Sequence, residues 1–484
     1  MDFLRVLIMF LAGVCLGRVQ AHGGARAAIS QKLIDYAVTT FVPILESKLS
    51  GLTFPSISGS KDSIDYSVSG IHVTGLSVGS PSVSFVKGTG IALQLNSIHV
   101  SAHMDWSYKE KIWPHEPRGS GSADASAGSN TYVHGTVAVT IVDGKPHVNA
   151  ENLAVSIDDF SIDVHGSLLS WLYNLIVKSF KGSIKSAIGK AISDAVTSEV
   201  NGDLNKILGT LTMTQALPLP KPYDVALVDY TILGVDIEAD HLALDIRGSV
   251  NDTDKSAPPY AGVVPALPPA SSAVYASHHM TVDLTTFLLD SAAYVFARRG
   301  VLKYTVTGKD LPSSAPIKLD TSTFVDLVPG LKKWPNTDMS ITLGTSGNPT
   351  FGFSGGIVSA TLPAAFNFSV LPSNATAVDA FGLTCACKIS ANASIDDQNL
   401  KFSINPGSTC TPANAYSHVG PVDSSGFALI VNLAIAVGIP AANKALQKGI
   451  PLPSIEGVAF ANSKLAANSD ILTLMTDITY KPNM

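Results

Sequence analysis

Charge is what this chain has little of. Asp, Glu, Lys and Arg make up 14% of its 484 residues and hydrophobic residues 46%, with a positive mean hydropathy of +0.27. That is apolar for a soluble protein, so the apolar excess must be buried or hold an apolar ligand. Neither sign of charge dominates. Residues 22–225 carry 15 Lys+Arg and 17 Asp+Glu, a balance of 15 − 17 = −2, within a chain total of −6. No large basic field marks a nucleic-acid partner.

Cysteine is scarce too. Of four, Cys15 falls in the N-terminal segment, leaving Cys385, Cys387 and Cys410 and none in the N-terminal half. Neighbours in C-x-C pair poorly, so Cys410 is expected to bridge to Cys385 or Cys387, with one thiol left over. Three sulfurs without a well-spaced fourth ligand argue against a zinc site, and His278-His279 lacks a third ligand. Metal-protease, P-loop and dinucleotide motifs are missing, so no metal and no cofactor is expected. Gly352-Phe353-Ser354-Gly355-Gly356 fits the lipase G-x-S-x-G pattern, which would make Ser354 an esterase nucleophile. That motif needs a strand–turn–helix setting, and the alternating residues around it read as a Gly-rich hairpin instead. No enzyme is expected.

Long apolar runs are rare. Met1–Ala21 has Arg5, an apolar run from Val6 to Leu16 and Val19-Gln20-Ala21 before His22, the pattern of a secretory signal peptide. Phe427–Ala442 is apolar but short, with Asn432 and Pro440 inside, and reads as a buried helix rather than a membrane span. Sequons at Asn251, Asn367, Asn374 and Asn392 are glycosylation acceptors in a secreted protein.

What the chain does have is an amphipathic segment at 167–209. Every fourth residue is apolar: Leu172, Ile176, Phe180, Ile184, Ile188, Ile192, Val196, Val200, Leu204 and Leu208. A step of four at 3.6 residues per turn advances the stripe by about 40°. The ladder would travel roughly once around the helix, so only a twisted, curved partner can bury it.

Around it, Ala25–Gly51 reads as a helix with Ile29, Leu33, Tyr36 and Phe41 on one face. Residues 62–104 and 131–164 alternate as antiparallel strands, and Gly119–Asn130 reads as a flexible loop. A Pro-rich stretch, Ala257–Ala270, follows more alternation. The plan then repeats, with a helix at Val282–Arg299, strands through 301–405, a helix at Phe427–Gly449 and a strand at Ile471–Tyr480. The organisation expected is α+β: a signal peptide at 1–21, a domain at 22–225, a linking region at 226–270 and a like domain at 271–484. Each domain is a sheet wrapped against two helices.

Several segments, in order and spacing, resemble the family of bactericidal/permeability-increasing protein and lipopolysaccharide-binding protein. Ile29-Ser30-Gln31-Lys32 with Asp35-Tyr36-Ala37 resembles its opening helix. Ala257–Tyr260 with Val264–Leu267 resembles its proline-rich join. Gly300-Val301-Leu302-Lys303 follows the third helix as in the family, and Leu446–Pro453 resembles its closing helix exit. The resemblance implies a boomerang of two pseudo-symmetric barrel-like domains joined by a central sheet, each with an apolar pocket for phospholipid acyl chains. It implies Ile29, Leu33, Leu172, Leu175, Ile176 and Phe180 as the first pocket and Leu288, Leu289, Val431, Leu433 and Ile435 as the second. Solid core is the alternative for both sets.

The family's tip loops map to Lys48–Pro55, Asp105–Arg118 and His165–Trp171. Here Lys109, Lys111 and Arg118 are offset by Asp105, Glu110 and Glu116, and Trp106, Tyr108 and Trp113 are added. With Lys48, these are the expected headgroup contacts, and the loop looks more like a membrane-interface loop than a polyanion clamp. The implied function is secreted, extracellular and non-catalytic: binding of phospholipid, of lipopolysaccharide or another amphipathic lipid, and of a membrane surface in innate defence. General lipid transfer is the alternative.

Overall fold

The computed structural model describes residues 23–480 apart from 129, 159, 166–169, 220–221, 268–274, 312–314, 316, 397–398, 453–457 and 469. Residues 1–21, expected to be a signal peptide, lie outside the described residues.

The alternating segments of the first half become one curled antiparallel sheet. In chain order come β1 (Ala25–Ser30), α1 (Gln31–Leu49), β2 (Ile57–Lys61), β3 (Ile64–Val86), β4 (Gly90–Glu110), β5 (Arg118–Ala127), β6 (Tyr132–Val142), β7 (Lys145–Ser156) and β8 (Ser161–His165). The sheet runs β2-β3-β4-β5-β8, with β6 pairing both β4 and β7. Register shifts at Ser69/His72 and Val73/Gly75 interrupt the long β3–β4 ladder. Such irregularities bend strands and increase twist.

Two expectations change here. Ala25–Ser30 is a strand, not the first turns of a helix, because its backbone pairs on both sides with residues more than 200 positions away. Ile29 therefore sits on β1 rather than on the helix. The Gly/Ser-rich segment after Arg118 is also a strand, in register with β4 and β8. Ala123, Ala125 and Ala127 point inward and are buried, while the residues between them face out. Its glycines fit under aromatic rings: a Cβ on Gly119 would sit 2.5 Å from Tyr108, and one on Gly121 2.6 Å from Trp106.

The long helix follows as α2 (Ser170–Thr197), passing into a π turn at Ser198–Leu204 and a last α turn at Asn205–Gly209. It lies along β7. The rungs Ile184, Ile188, Ile192, Val196, Val200, Leu204 and Leu208 are all at most 4% exposed. The π segment slows the expected circuit of the stripe. A π turn is wider than four residues, so a step of four there falls short of a turn and swings the stripe back onto the sheet.

The middle of the chain gives β9 (Thr214–Pro218), β10 (Val225–Asp229), β11 (Ile232–Ile237), β12 (His241–Ile246), β13 (Ser249–Asn251), β14 (Met280–Thr285) and α3 (Phe287–Arg298). The expected helix from Val282 thus begins as strand β14, paired with β1. The second half adds β15 (Tyr304–Thr307), β16 (Met339–Thr345), β17 (Thr350–Ser354), β18 (Ile357–Val370), β19 (Val378–Asp396), β20 (Asn399–Ile404), β21 (Thr409–Ser417), α4 (Ala428–Leu446), β22 (Ile450–Pro451), β23 (Val458–Asn468) and β24 (Ile471–Tyr480). A central sheet ordered β11-β12-β1-β14-β24-β23 draws strands from both halves and from the linking region. The result is the α+β, two-domain boomerang that the resemblance implied.

Both curled sheets end in a strand with unpaired backbone groups, and in both a helix supplies asparagines to pair them. Asn205 accepts from Val148 N–H at 2.8 Å and donates to Val148 C=O at 2.7 Å, while Asn201 accepts from Ala150 N–H at 2.7 Å. On α4, Asn432 makes the same two bonds to Cys410 and Asn443 to Ile404. Cys410 thus turns its N–H and C=O away from β19, at a position where it faces Cys387 and forms the disulfide. Cys385 keeps its thiol, buried, with its pKa pushed up to about 11 by desolvation.

Asn205→Ala leaves two buried groups of Val148 unpaired, at about 1–3 kcal/mol each. We expect lower denaturant stability and faster amide exchange along β7. Unchanged exchange at Val148 would count against the stitched edge.

Candidate functional site

The apolar positions proposed for lipid contact divide into two cores. Ile29, Leu33, Leu288 and Leu289 are buried in the large cluster that runs from the first domain into the central sheet. Val431 is buried in a separate cluster around Phe324, Phe366, Phe368, Phe381 and Phe427, with Ile435 packed against it and Leu433 half-buried. Leu288 and Leu289 of α3 thus fall in one cluster and Val431 and Ile435 of α4 in the other. The side chains of Leu172, Leu175, Ile176 and Phe180 lie outside the described residues, as does that of Lys48. The later rungs of α2 from Ile184 onward are solid core.

The tip is a tight connection between β4 and β5, shorter than Asp105–Arg118. Residues 105–110 extend β4, leaving 111–117 as the loop, which is closed by Glu110 N–H donating to Pro117 C=O at 2.9 Å. Strand alternation decides which aromatics show. Trp106 points inward at 3% exposure, its indole N–H donating to the carbonyls of Ser122 (3.0 Å) and His165 (3.3 Å). Tyr108 is half-buried on the same face, near-parallel to Trp106 at 6.4 Å. Trp113 in the loop is 92% exposed, beside Ile112 at 48%. Of the three expected surface aromatics, one stands out from the molecule, with Ile112 as its exposed apolar neighbour.

Three described tip cations are paired. Lys109 and Arg118 share Glu116, at 2.7 and 3.1 Å, and Lys111 meets Asp65 at 2.8 Å. Lys109 first, then Arg118, holds the Glu116 carboxyl below its ordinary range; Lys111, then Ser60, does the same to Asp65. Farther along the same outer face, His103 (2.7 Å) and His165 (2.8 Å) bracket the Asp124 carboxylate and lower its pKa, His103 most. Sequence spacing gave no sign of this bracket, because its members come from three strands.

Ser354 ends β17 in a tight antiparallel hairpin with β18, and Gly355 and Gly356 take positive φ angles of 57° and 81° in the turn. Strand–turn–strand geometry is incompatible with a nucleophile elbow. Among the described residues no group of three His, Cys, Asp or Glu is placed to hold a metal ion. The sequons Asn367, Asn374 and Asn392 are exposed, and Asn251 is half-buried on β13.

Comparison with known proteins agrees with this architecture. Residues 32–210 match the N-terminal domain of the LBP / BPI / CETP family and residues 221–480 its C-terminal domain. Among curated relatives, the bactericidal permeability-increasing protein of Sebastes schlegelii is 25% identical, with 98% of this chain and 99% of that protein covered. The lipopolysaccharide-binding protein of Bos taurus is 23% identical over 99% and 97%. A crystal structure of lipopolysaccharide binding protein superposes with a TM-score of 0.62 at 19% identity, covering 95% of this chain and all of that one. With both of its domains matched in order along nearly the whole described fold, this chain belongs to the LBP / BPI / CETP family.

Proposed function

We propose that this chain is a secreted, non-catalytic lipid-binding protein that buries phospholipid acyl chains in its two wrapped domains, 22–225 and 271–484, and meets lipopolysaccharide-bearing or other lipid surfaces with its first-domain tip in innate defence. The observation that carries this reading is the match of both family domains, in order, with relatives named for bacterial permeability and lipopolysaccharide binding. In the first domain the acyl pocket is assigned to the early rungs of α2, Leu172 to Phe180, because the rungs below them are filled. Burial contributes about 0.8 kcal/mol per CH₂, so acyl chains supply most of the affinity.

The tip supports a particular manner of contact. Exposed Trp113 and Ile112 suit the boundary between headgroups and acyl chains, while paired cations give little net field for a polyanion. The same observation favours the second reading, general lipid transfer, over a charge-driven clamp.

Native mass spectrometry of the purified protein should show co-purifying lipid, and labelled phospholipid should be taken up. Protein free of lipid that also fails to take up label would sink the pocket. Binding to anionic vesicles should change little with salt and fall when Trp113 is replaced by Ala. Glu116→Gln frees Lys109 and Arg118, so its binding should rise at low salt and become steeply salt-dependent. A wild type already as salt-sensitive as that variant would contradict the paired tip.

The sign for pH follows from the lowered carboxyls. Glu116 ordinarily titrates near 4.5 and Asp65 near 3.8, and both are shifted down. The pairs are therefore intact above those values and break as pH falls through the lowered ones. The contribution of the Glu116 pairs, read as the difference in anionic-vesicle binding between wild type and Glu116→Gln, should be constant from about pH 8 to 5 and shrink only in stronger acid.

A further inference from the structure

Beside the tip, an open groove of about 780 Å³ crosses strands β2, β3, β4 and β5. Its floor follows from register. Ser58, Ser67, Ser107 and Ser120 are directly opposite one another on the four strands, so four hydroxyls form one straight rung. The next outward-facing rung carries Ser60, Asp65, Lys109 and Arg118. Alternation puts both rungs on the face opposite Trp106. Between them lies a rung of Gly59, Tyr66, Tyr108 and Gly119 that shows only backbone on this side. Its tyrosine rings lie over the two glycines, where an added Cβ would come within 2.5–2.7 Å of them. Those rings pack on the core.

We propose that this groove is a binding site for a neutral oligosaccharide, the sugar portion of a glycolipid. Hydroxyls repeat at the strand spacing of about 4.8 Å, a spacing commensurate with successive sugar rings. Each can donate and accept, as sugar hydroxyls require, and Ser67 and Ser107 already share a bond of 2.9 Å. The flanking charges select an anion only weakly. Lys109 and Arg118 share Glu116 and Lys111 takes Asp65, so these five groups sum to 3 − 2 = +1, a weak field at an exposed site. With both rings on the inner face there is no aromatic platform, so the sugar alone binds weakly. It gains by effective concentration when the same molecule is held by its acyl chain. Only that gain rests on the lipid-binding reading; the sugar site stands without it.

The test uses the full chain and the delipidated, dephosphorylated core oligosaccharide of a lipopolysaccharide, followed by saturation-transfer NMR. We expect transfer to the sugar, unchanged between 50 and 500 mM NaCl. Ser67→Val with Ser107→Val, both compatible with strands, should raise Kd about tenfold for two lost hydrogen bonds. Ser120→Gln, which fills the exposed floor away from the core, should do likewise, with circular dichroism and lipid uptake unchanged in both variants. Absence of transfer with wild-type protein overturns the proposal. So do variants that bind like wild type, or binding confined to the phosphorylated sugar and lost in salt. Loss of lipid uptake with retained sugar binding would instead count against the pocket alone.

Discussion

A curled antiparallel sheet that does not close on itself leaves an edge strand, and a buried edge must have its backbone groups paired. The rest of this fold depends on how that is met. In the first domain the edge is β7, and it is met by one helix through an apolar ladder beneath and asparagines alongside. In the second domain, α4 does the same for β20 and β21. An asparagine side chain carries the donor and acceptor of a peptide group, so it completes a ladder without a further strand. That permits each domain to be wrapped by a helix rather than sealed by hydrogen bonds along its whole length.

The π turn belongs to the same constraint. Asn201 sits inside it and Asn205 directly after it. Without it the four-residue ladder would rotate away from β7 at the point where the asparagines must reach Ala150 and Val148. Local widening keeps both the apolar rungs and the polar stitches on the strand. Such turns are often found at functional positions; here the role is geometric. A second consequence lies at the tip. Because β4 and β5 run on as paired strands nearly to the end of the domain, little loop is left, and its charges find partners on neighbouring strands.

Much of this was legible in the chain. The ladder at 172–208 announced a long helix with a wrapped partner, alternation announced the sheets, and collinear segments announced the family. What stayed hidden has physical reasons. Ala25–Ser30 carries helix-compatible residues but is held as a strand by partners beyond position 240, a tertiary choice no local pattern reveals. The strand Arg118–Ala127 looked like linker because Gly and Ser dominate its composition. Its period-two alanines were the available signal, and the glycines are there to admit Tyr108 and Trp106. Trp106 looked like a surface aromatic until its parity on β4 placed it inside. The tip's ion pairs and the serine rung join residues from separate strands, so they exist only once register is known.

If burial of acyl chains in the wrapped domains, and not charge at the tip, drives recognition, affinity must follow chain length. The direct measurement is Kd for a series of phosphatidylcholines differing only in acyl length, presented as monomers at two salt concentrations. We predict roughly 0.8 kcal/mol per added CH₂, about fourfold in Kd, until the pocket is filled, with the same slope at both salts. Affinity indifferent to acyl length but falling steeply with salt would contradict the account.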